Sequence, residues 1–163
     1  MSLRDMGLIQ EMNKRRRPRV TDMLVSKEPD SSFAPRDRVD NDQWPSVVLE
    51  CGWLGSLEHL RPDAGLWIAR SRGDVKLVML IGIDGNLSEI VVEKWVSDLG
   101  YAGRCAQQVT MTRDIDGQII ISGSPFVITF GELFCRPPCG VHEVDCVLGE
   151  DVLGNIAETV WSW

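Results

Sequence analysis

The stretch WPSVVLECGWLGSLEHLRPDAGLWIARSRGDVKLVMLIGI, residues 44–83, decides the fold. It predicts a strand at 47–49, a helix whose apolar residues recur at helical spacing from Leu57 to Ile68, and a second strand at 75–81. The second strand is almost wholly apolar, which is typical of a strand covered by helices on both faces. Two strands joined through one helix form a βαβ unit, so we expect both strands in one largely buried sheet.

The first strand is followed at once by a single acid, Glu50. A buried carboxylate is costly unless it is paired or binds a metal. Asp30 stands twenty residues earlier, in a short predicted strand near 30–33 within the Pro- and Ser-rich stretch 26–45, and this separation fits two neighbouring strands. Two such carboxylates could converge on one hard cation such as Mg²⁺. The alternative is that Asp30 caps a turn and Glu50 pairs with an arginine.

The composition predicts one domain in an intracellular protein. The chain has 163 residues, is 44% hydrophobic, and shows neither an apolar run of transmembrane length nor a secretory signal. Five cysteines, an odd number, favour reduced thiols in the cytoplasm or nucleus. No membrane partner is therefore expected.

The net charge of −7 makes nucleic-acid binding depend on local basic patches, since phosphate contacts need positive charge. The run KRRRPR, residues 14–19, is the obvious patch. It fits a nuclear-localisation signal, a phosphate-binding segment or a solvated arm.

The rest of the chain yields further predictions about secondary structure. We expect an N-terminal helix at 3–13, a strand at 20–25, a hairpin formed by the strand 75–81 and a strand at 89–96, a loop at 98–106, a hairpin of strands 107–113 and 118–122, a strand from 126 to 134, a short extended piece at 145–148, and a closing helix at 150–161. In the closing helix, Val152, Ile156 and Val160 are expected to face the body of the protein, with Leu153 and Trp161 as further candidates. The domain then comprises an N-terminal helix and basic arm (1–19) and a core (20–163).

Taken together, PSVVLECGW, SLEHLRPDAGLWI, GDVKLVMLIGI and EIVVEKW resemble the fungal branch of the PD-(D/E)XK nuclease-like superfamily. The upstream segment SKEPDSSFAP is similar to the one that carries the PD aspartate of that family, and the resemblance extends to the C-terminal helix. It implies a restriction-endonuclease-like core, an α/β fold whose mixed β-sheet of about four strands is flanked by helices. It also implies a Mg²⁺- or Mn²⁺-dependent hydrolase acting on nucleic acid, with DNA favoured over RNA.

Carried over to this chain, the resemblance makes Asp30 the first metal-binding acid and Glu50 the second. The chain departs from the family at position 52, where Gly52 replaces the expected lysine. Arg61 and Lys76 are the candidates to supply that catalytic cation. Without one, the fold would serve as a catalytically inactive binding or oligomerisation module.

Other residue clusters carry weaker hypotheses. Zinc ligands are suggested by Cys135, Cys139, His142 and Cys146, although their spacing is uncommon and free thiols are the alternative. His59 is a candidate catalytic histidine or a surface residue. Asp63 stands where the fungal pattern has an acid, and it either pairs with Arg61 or Arg70 or supports the metal site without touching the metal. Core positions are expected for Trp44, Trp53, Trp67 and Trp95, while Trp161 and Trp163 could close a homodimer interface.

Overall fold

The computed structural model describes residues 3–15, 20–22, 25–38, 44–98 and 102–162. The strands are β1 (Met12–Arg15), β2 (Val20–Asp22), β3 (Val25–Lys27), β4 (Ser31–Pro35), β5 (Val47–Trp53), β6 (Leu77–Asp84), β7 (Glu89–Asp98), β8 (Ala102–Arg113), β9 (Ile119–Ser122), β10 (Phe126–Ile128) and β11 (Cys146–Leu148). The helices are α1 (Leu57–Arg70), α2 (Phe130–Phe134) and α3 (Glu150–Trp161), with 3-10 turns at Ile9–Glu11 and Leu54–Ser56.

Seven strands form one mixed sheet in the order β1-β4-β5-β6-β7-β8-β9. The predicted βαβ unit is confirmed, because β5 and β6 run parallel and α1 connects them. All other neighbouring pairs of this sheet are antiparallel. The α/β class and the mixed sheet are therefore as expected, but the sheet is larger than the four strands that the resemblance implied.

Helices cover both faces of the sheet, as the apolar second strand predicted. Val48 and Val78 pack with α1 in one hydrophobic cluster. Their sequence neighbours Val47 and Leu77 pack with α2 in another, because adjacent residues of a strand point to opposite faces. The helix α3 packs against the same face as α2, over the strands at the far side of the sheet.

The predicted N-terminal helix at 3–13 is wrong. Residues 3–7 form turns, a single 3-10 turn follows, and the chain then enters β1, which pairs with β4. Gly7 has a φ of +72°, a conformation that no α-helix accommodates. Strand pairing with β4 therefore outweighs the helical spacing of the apolar residues.

The predicted loop at 98–106 is also wrong where the structure describes it, since Asp98 still belongs to β7 and β8 begins at Ala102 and pairs with β7 across a register shift at Lys94/Trp95. Residues 99–101 lie outside the described residues. Gly103 suggested a loop, but it marks a close approach of β8 to α1. A Cβ atom at this position would lie 3.1 Å from the Cα atom of Gly65.

The predicted strand from 126 to 134 ends at Ile128 and is replaced by α2. Thr129 and Glu132 form a capping box, in which each side chain accepts a hydrogen bond from the backbone N–H of the other residue. This local signal stops the strand and starts the helix.

The closing helix is confirmed at Glu150–Trp161, and Leu153, Val160 and Trp161 pack against the body as expected, but the prediction is wrong for Val152 and Ile156. It buries Leu153 and Ala157, whereas Val152 and Ile156 are exposed and Val160 is half-buried. In the described part of the chain, no helix is long and apolar enough to cross a bilayer.

Candidate metal centre

Asp30 and Glu50 come together, as the sequence predicted. The antiparallel register of β4 and β5 pairs Ser31 with Leu49, and its continuation by one residue places Asp30 opposite Glu50. The backbone N–H of Asp30 donates to Oε2 of Glu50 over 3.4 Å. Two neighbouring strands thus bring two acids, twenty residues apart in sequence, together at the point where β4 begins.

The two carboxylates occupy different environments. Glu50 is only 4% exposed, and its Oε1 accepts a 2.9 Å hydrogen bond from the indole Nε1 of Trp67 on α1. Asp30 is exposed, and its Oδ2 accepts a 2.8 Å hydrogen bond from the backbone N–H of Cys51. Within the described residues, Oδ1 of Asp30 has no hydrogen-bond donor. The carboxylate of Glu50 is therefore buried and held in place, whereas the carboxylate of Asp30 faces solvent.

The thiol of Cys51 lies close to both acids. Desolvation of its sulfur raises the pKa of this thiol, and the negative charges of Asp30 and Glu50 raise it further. Both carboxylates thus act on a single neighbouring group. A cation bound there would relieve the mutual repulsion of the two acids.

The residue types fit Mg²⁺ or Mn²⁺, because hard cations prefer carboxylate oxygens and are often held by one or two of them. The remaining coordination positions would belong to water or phosphate oxygens. Among the described residues, no group of three or more His, Cys, Asp and Glu side chains is arranged to hold a metal. The candidate centre consequently depends on a pair of acids, not on a complete protein cage.

Arg61, the first candidate for the catalytic cation, is held by another acid. Its Nη2 lies 2.7 Å from Oε1 of Glu93 on β7, and its Nε lies 3.2 Å from both carboxylate oxygens. Glu93 is 1% exposed and also accepts from the indole Nε1 of Trp95. Burial raises the pKa of Glu93, but these hydrogen bonds outweigh it and leave that pKa lowered. The register places Glu50 opposite Leu80 and Leu80 opposite Glu93, so about 10 Å separates the two acids across the sheet.

Lys76, the second candidate, lies at the wrong end of the strand. It immediately precedes Leu77, which pairs with Val47, whereas Glu50 pairs with Leu80. The separation along the strand is about 13 Å. Its ammonium group donates to the backbone carbonyl of Gly73. The hydrogen bonds thus place Arg61 on Glu93 and Lys76 on the backbone at Gly73.

The structure also explains why position 52 holds a glycine. A Cβ atom there would lie 2.6 Å from Oγ of Ser56 and 3.3 Å from Cδ1 of Leu60. Ser56 is not free to move away, because its hydroxyl donates to the carbonyl of Trp53 over 2.6 Å. The space that a lysine stem would need is filled by the turn that leads into α1.

We accordingly expect Gly52→Ala to destabilise the protein by about 1–3 kcal/mol, since overpacking forces neighbouring groups to shift. Gly55→Ala is the matched control, because nothing lies within 4 Å of a Cβ atom at that position. Urea unfolding of both variants checks the prediction. Equal stabilities of Gly52→Ala and Gly55→Ala would refute the steric explanation, and Gly52→Lys is expected to restore no activity.

The zinc hypothesis for the segment 135–146 finds no support in the geometry of the described residues. Cys139 and His142 are exposed, and all five cysteines are free thiols. The segment is instead organised by Arg136, whose guanidinium makes two hydrogen bonds to Glu143, at 2.7 and 2.8 Å. His59, the other histidine, is exposed on α1.

The Arg136–Glu143 pair predicts a pH dependence. Hydrogen bonds from Arg136 and from the backbone N–H of Cys139 lower the pKa of Glu143 to about 2, from a reference value of 4.5. Because the folded-state pKa is lowered, the stabilisation is fully present above the reference pKa and is lost as the pH falls towards 2. We expect Arg136→Gln to be less stable than the wild type near pH 7, with the difference shrinking as the pH falls from about 4.5 to 2. Denaturant unfolding across this range tests the pair, and a difference that persists unchanged at pH 2 would contradict it.

Of the tryptophans expected in the core, Trp67 is buried, and Trp44 and Trp95 are half-buried. The prediction is wrong for Trp53, whose side chain is 72% exposed. Trp161 stacks under the guanidinium of Arg113, and Trp163 lies outside the described residues. The sequence does not distinguish Trp53 from the other three, because all four tryptophans stand in apolar runs.

The fold also brings the beginning of the basic run near the start of β4, where Asp30 lies. Arg15, the last residue of β1, pairs with Ser32, which is two residues from Asp30. Since β1 and β4 are antiparallel, β1 runs towards Asp30 as it ends. Residues 16–19, the remainder of the run, lie outside the described residues.

No model of a known protein family matches the chain, and no curated protein or solved structure is significantly similar to it.

Proposed function

We propose that this protein is a nuclease-like domain that binds Mg²⁺ or Mn²⁺ through Asp30 and Glu50 and hydrolyses phosphodiester bonds in DNA. The observation that carries the proposal is the meeting of these two carboxylates across the β4–β5 register, with the N–H of Asp30 on Oε2 of Glu50. A metal held by such a pair supplies charge stabilisation to a phosphoryl group and lowers the pKa of a bound water.

The protein's own contribution is to fix the geometry of the two acids. Trp67 and the backbone of Asp30 orient the two oxygens of Glu50, and the backbone of Cys51 orients Asp30. Ligands held in advance by such bonds need little rearrangement when charge develops in a transition state. The mixed sheet, with an antiparallel β4–β5 pair and a parallel β5–β6 crossover, supports a restriction-endonuclease-like core.

Positive charge for the phosphate backbone would come from the basic run 14–19, whose first two residues lie on the neighbouring strand β1. This run contains five cations in six residues within a chain of net charge −7. It supports DNA as the partner, and together with the free thiols it supports a cytoplasmic or nuclear location.

A second candidate function is a catalytically inactive module that binds nucleic acid or a second copy of the chain. Two observations favour it: the packing around Gly52 leaves no room for a lysine, and Arg61 is engaged by Glu93. The acid pair would then hold a cation, or a phosphate through a cation, without turnover.

The two candidates separate in a cleavage assay on plasmid and linear DNA with Mg²⁺, Mn²⁺ or EDTA. The nuclease proposal requires cleavage that depends on the metal and is lost in Asp30→Asn. Absence of cleavage in both metals, together with metal-dependent DNA binding, would leave the inactive module standing.

A further inference from the structure

The strand β9 leaves one edge of the seven-stranded sheet open. It is the last strand in the order, and in the described part of the chain no other strand pairs with its outer side. Such an edge offers unpaired backbone N–H and C=O groups to an extended chain that can reach them. Three strands lie between β9 and β5, so this feature is separate from the Asp30–Glu50 pair.

The strand register and one hydrogen bond at the hairpin turn show which backbone groups of β9 face outward. The N–H of Asp114 donates to the carbonyl of Gln118 over 2.9 Å, so these two residues form a hydrogen-bonded pair. Bonded and non-bonded pairs alternate along an antiparallel ladder. Continued along β9, this alternation bonds Ile120 to β8 and leaves the N–H and C=O groups of Ile119 and Ile121 pointing away from it.

A groove with an acidic lining lies between β9 and the helix α3. Ile119 and Ile121 line it from the strand, and Glu150, Asp151 and Glu158 line it from the helix. No lysine or arginine is among the lining residues, and within the described residues none of these three acids forms an ion pair. A strand added to β9 would therefore run beside three negative charges that no cation neutralises.

The groove consequently fits an extended chain that carries positive charge. When a peptide adds to a sheet edge, its backbone bonds give affinity and its alternate side chains give specificity. Every second side chain of such a peptide would lie on the α3 side, where lysine or arginine would meet the acids. The β9 strand of a second copy fits less well, because it would bring the same acids together in two chains that each carry a net charge of −7.

We propose that β9 and the acidic side of α3 form a docking site for an extended, lysine- or arginine-containing segment of a partner protein, which adds to the sheet as an eighth strand. The backbone of this segment bonds to the outward groups of Ile119 and Ile121, and its basic side chains face the three acids of α3. Ile120, whose side chain is 54% exposed on the other face of β9, contacts the residues between the basic ones. The site does not depend on the proposed function, since neither Asp30 nor Glu50 takes part in it.

The test titrates the ¹⁵N-labelled protein with a ten-residue peptide in which threonine and lysine alternate, and follows binding and amide hydrogen exchange by NMR. We expect the peptide to protect the amides of Ile119 and Ile121 from exchange, and to change that of Ile120 little, because Ile120 already bonds to β8. The same peptide with every backbone nitrogen methylated keeps its charges but has no N–H donor, and it should bind at least about tenfold more weakly. A peptide in which threonine and glutamate alternate should not bind.

Two double variants separate the groove from the overall charge of the protein. Asp151→Asn with Glu158→Gln should weaken binding of the threonine–lysine peptide at least about threefold, the equivalent of two exposed ion pairs. Glu58→Gln with Asp98→Asn removes the same charge from exposed acids outside the groove and should keep the affinity within about twofold of the wild type. Equal losses in the two double variants would overturn the site, since net charge alone would then attract the peptide.

Three other results would also overturn the proposal. The first is failure of the threonine–lysine peptide to bind, and the second is equal affinity of its methylated form. The third is a dimer, detected by sedimentation, in which the amides of Ile119 and Ile121 are protected without any peptide, because a second copy would then occupy the edge. Cleavage of DNA enters none of these measurements, so the docking site and the proposed function are tested separately.

Discussion

Replacing Glu50 by glutamine is expected to reduce the rate of metal-dependent DNA cleavage at least about 100-fold. The reason is that a cation held by only one carboxylate stabilises the transition state by several kcal/mol less. The change is nearly isosteric, and the amide oxygen retains an acceptor for the indole of Trp67, which lies 2.9 Å from Glu50. The fold should therefore survive. Rates of plasmid cleavage in Mg²⁺ and Mn²⁺ measure the effect.

Glu58→Gln is the matched control, since Glu58 is an exposed acid at the start of α1 and the substitution removes the same charge. Its cleavage rate should stay within about twofold of the wild type, because exposed charges act weakly at a distance. A Glu50→Gln variant that cleaves as fast as Glu58→Gln would show that the acid pair has no part in the reaction.

The largest effect on stability is expected at Lys94. Its ammonium group is 2.8 Å from Oε2 of Glu132 and 2.8 Å from the carbonyl of Val127, and the residue is 7% exposed. Lys94→Met leaves the largely buried carboxylate of Glu132 without its cation, which costs about 3–5 kcal/mol. The same carboxylate caps α2 through the N–H of Thr129, so the loss extends to that helix. Urea unfolding, analysed with a common m-value, provides the measurement.

Two further variants identify the cause of that loss. Lys76→Met removes a half-exposed lysine that makes a hydrogen bond to a backbone carbonyl and no ion pair among the described residues, so we expect a loss below about 1 kcal/mol. Adding Glu132→Gln to Lys94→Met should recover part of the stability, since it neutralises the stranded charge. If Lys94→Met costs no more than Lys76→Met, the Lys94–Glu132 bond does not stabilise the fold.

The strands and helices that the sequence predicts correctly are those with a strong local signal. The parallel β5–α1–β6 unit follows from a long helical pattern between two apolar runs, and the β8–β9 hairpin follows from the turn at 114–117. The wrong predictions fall where contacts between distant parts of the chain determine the secondary structure. Gly103 suggests a loop in the sequence, but in the structure it lies where β8 packs closely against α1. The residues of β1 have a helical pattern in the sequence, but in the structure they pair with β4.

For the candidate centre, the sequence predicts the two acids but not what surrounds them. The spacing of Asp30 and Glu50 predicts that they lie on adjacent strands, because two strands joined by a loop of this length bring such residues opposite each other. The environment of Arg61 depends on Glu93, a residue on a strand 32 positions away, and no local pattern reveals it. The exposure of Trp53 is equally invisible, because an apolar run does not show where the sheet ends.

The most direct test is a Mn²⁺ titration of the wild-type protein and of the Asp30→Asn, Glu50→Gln and Glu58→Gln variants, followed by isothermal titration calorimetry. If Asp30 and Glu50 share a cation, the wild type and Glu58→Gln bind one Mn²⁺ per chain, and each of the other variants binds it at least about tenfold more weakly, since each loses one of the two carboxylate ligands. Absence of Mn²⁺ binding by the wild type, or equal affinities in all four proteins, would contradict a metal centre at Asp30 and Glu50.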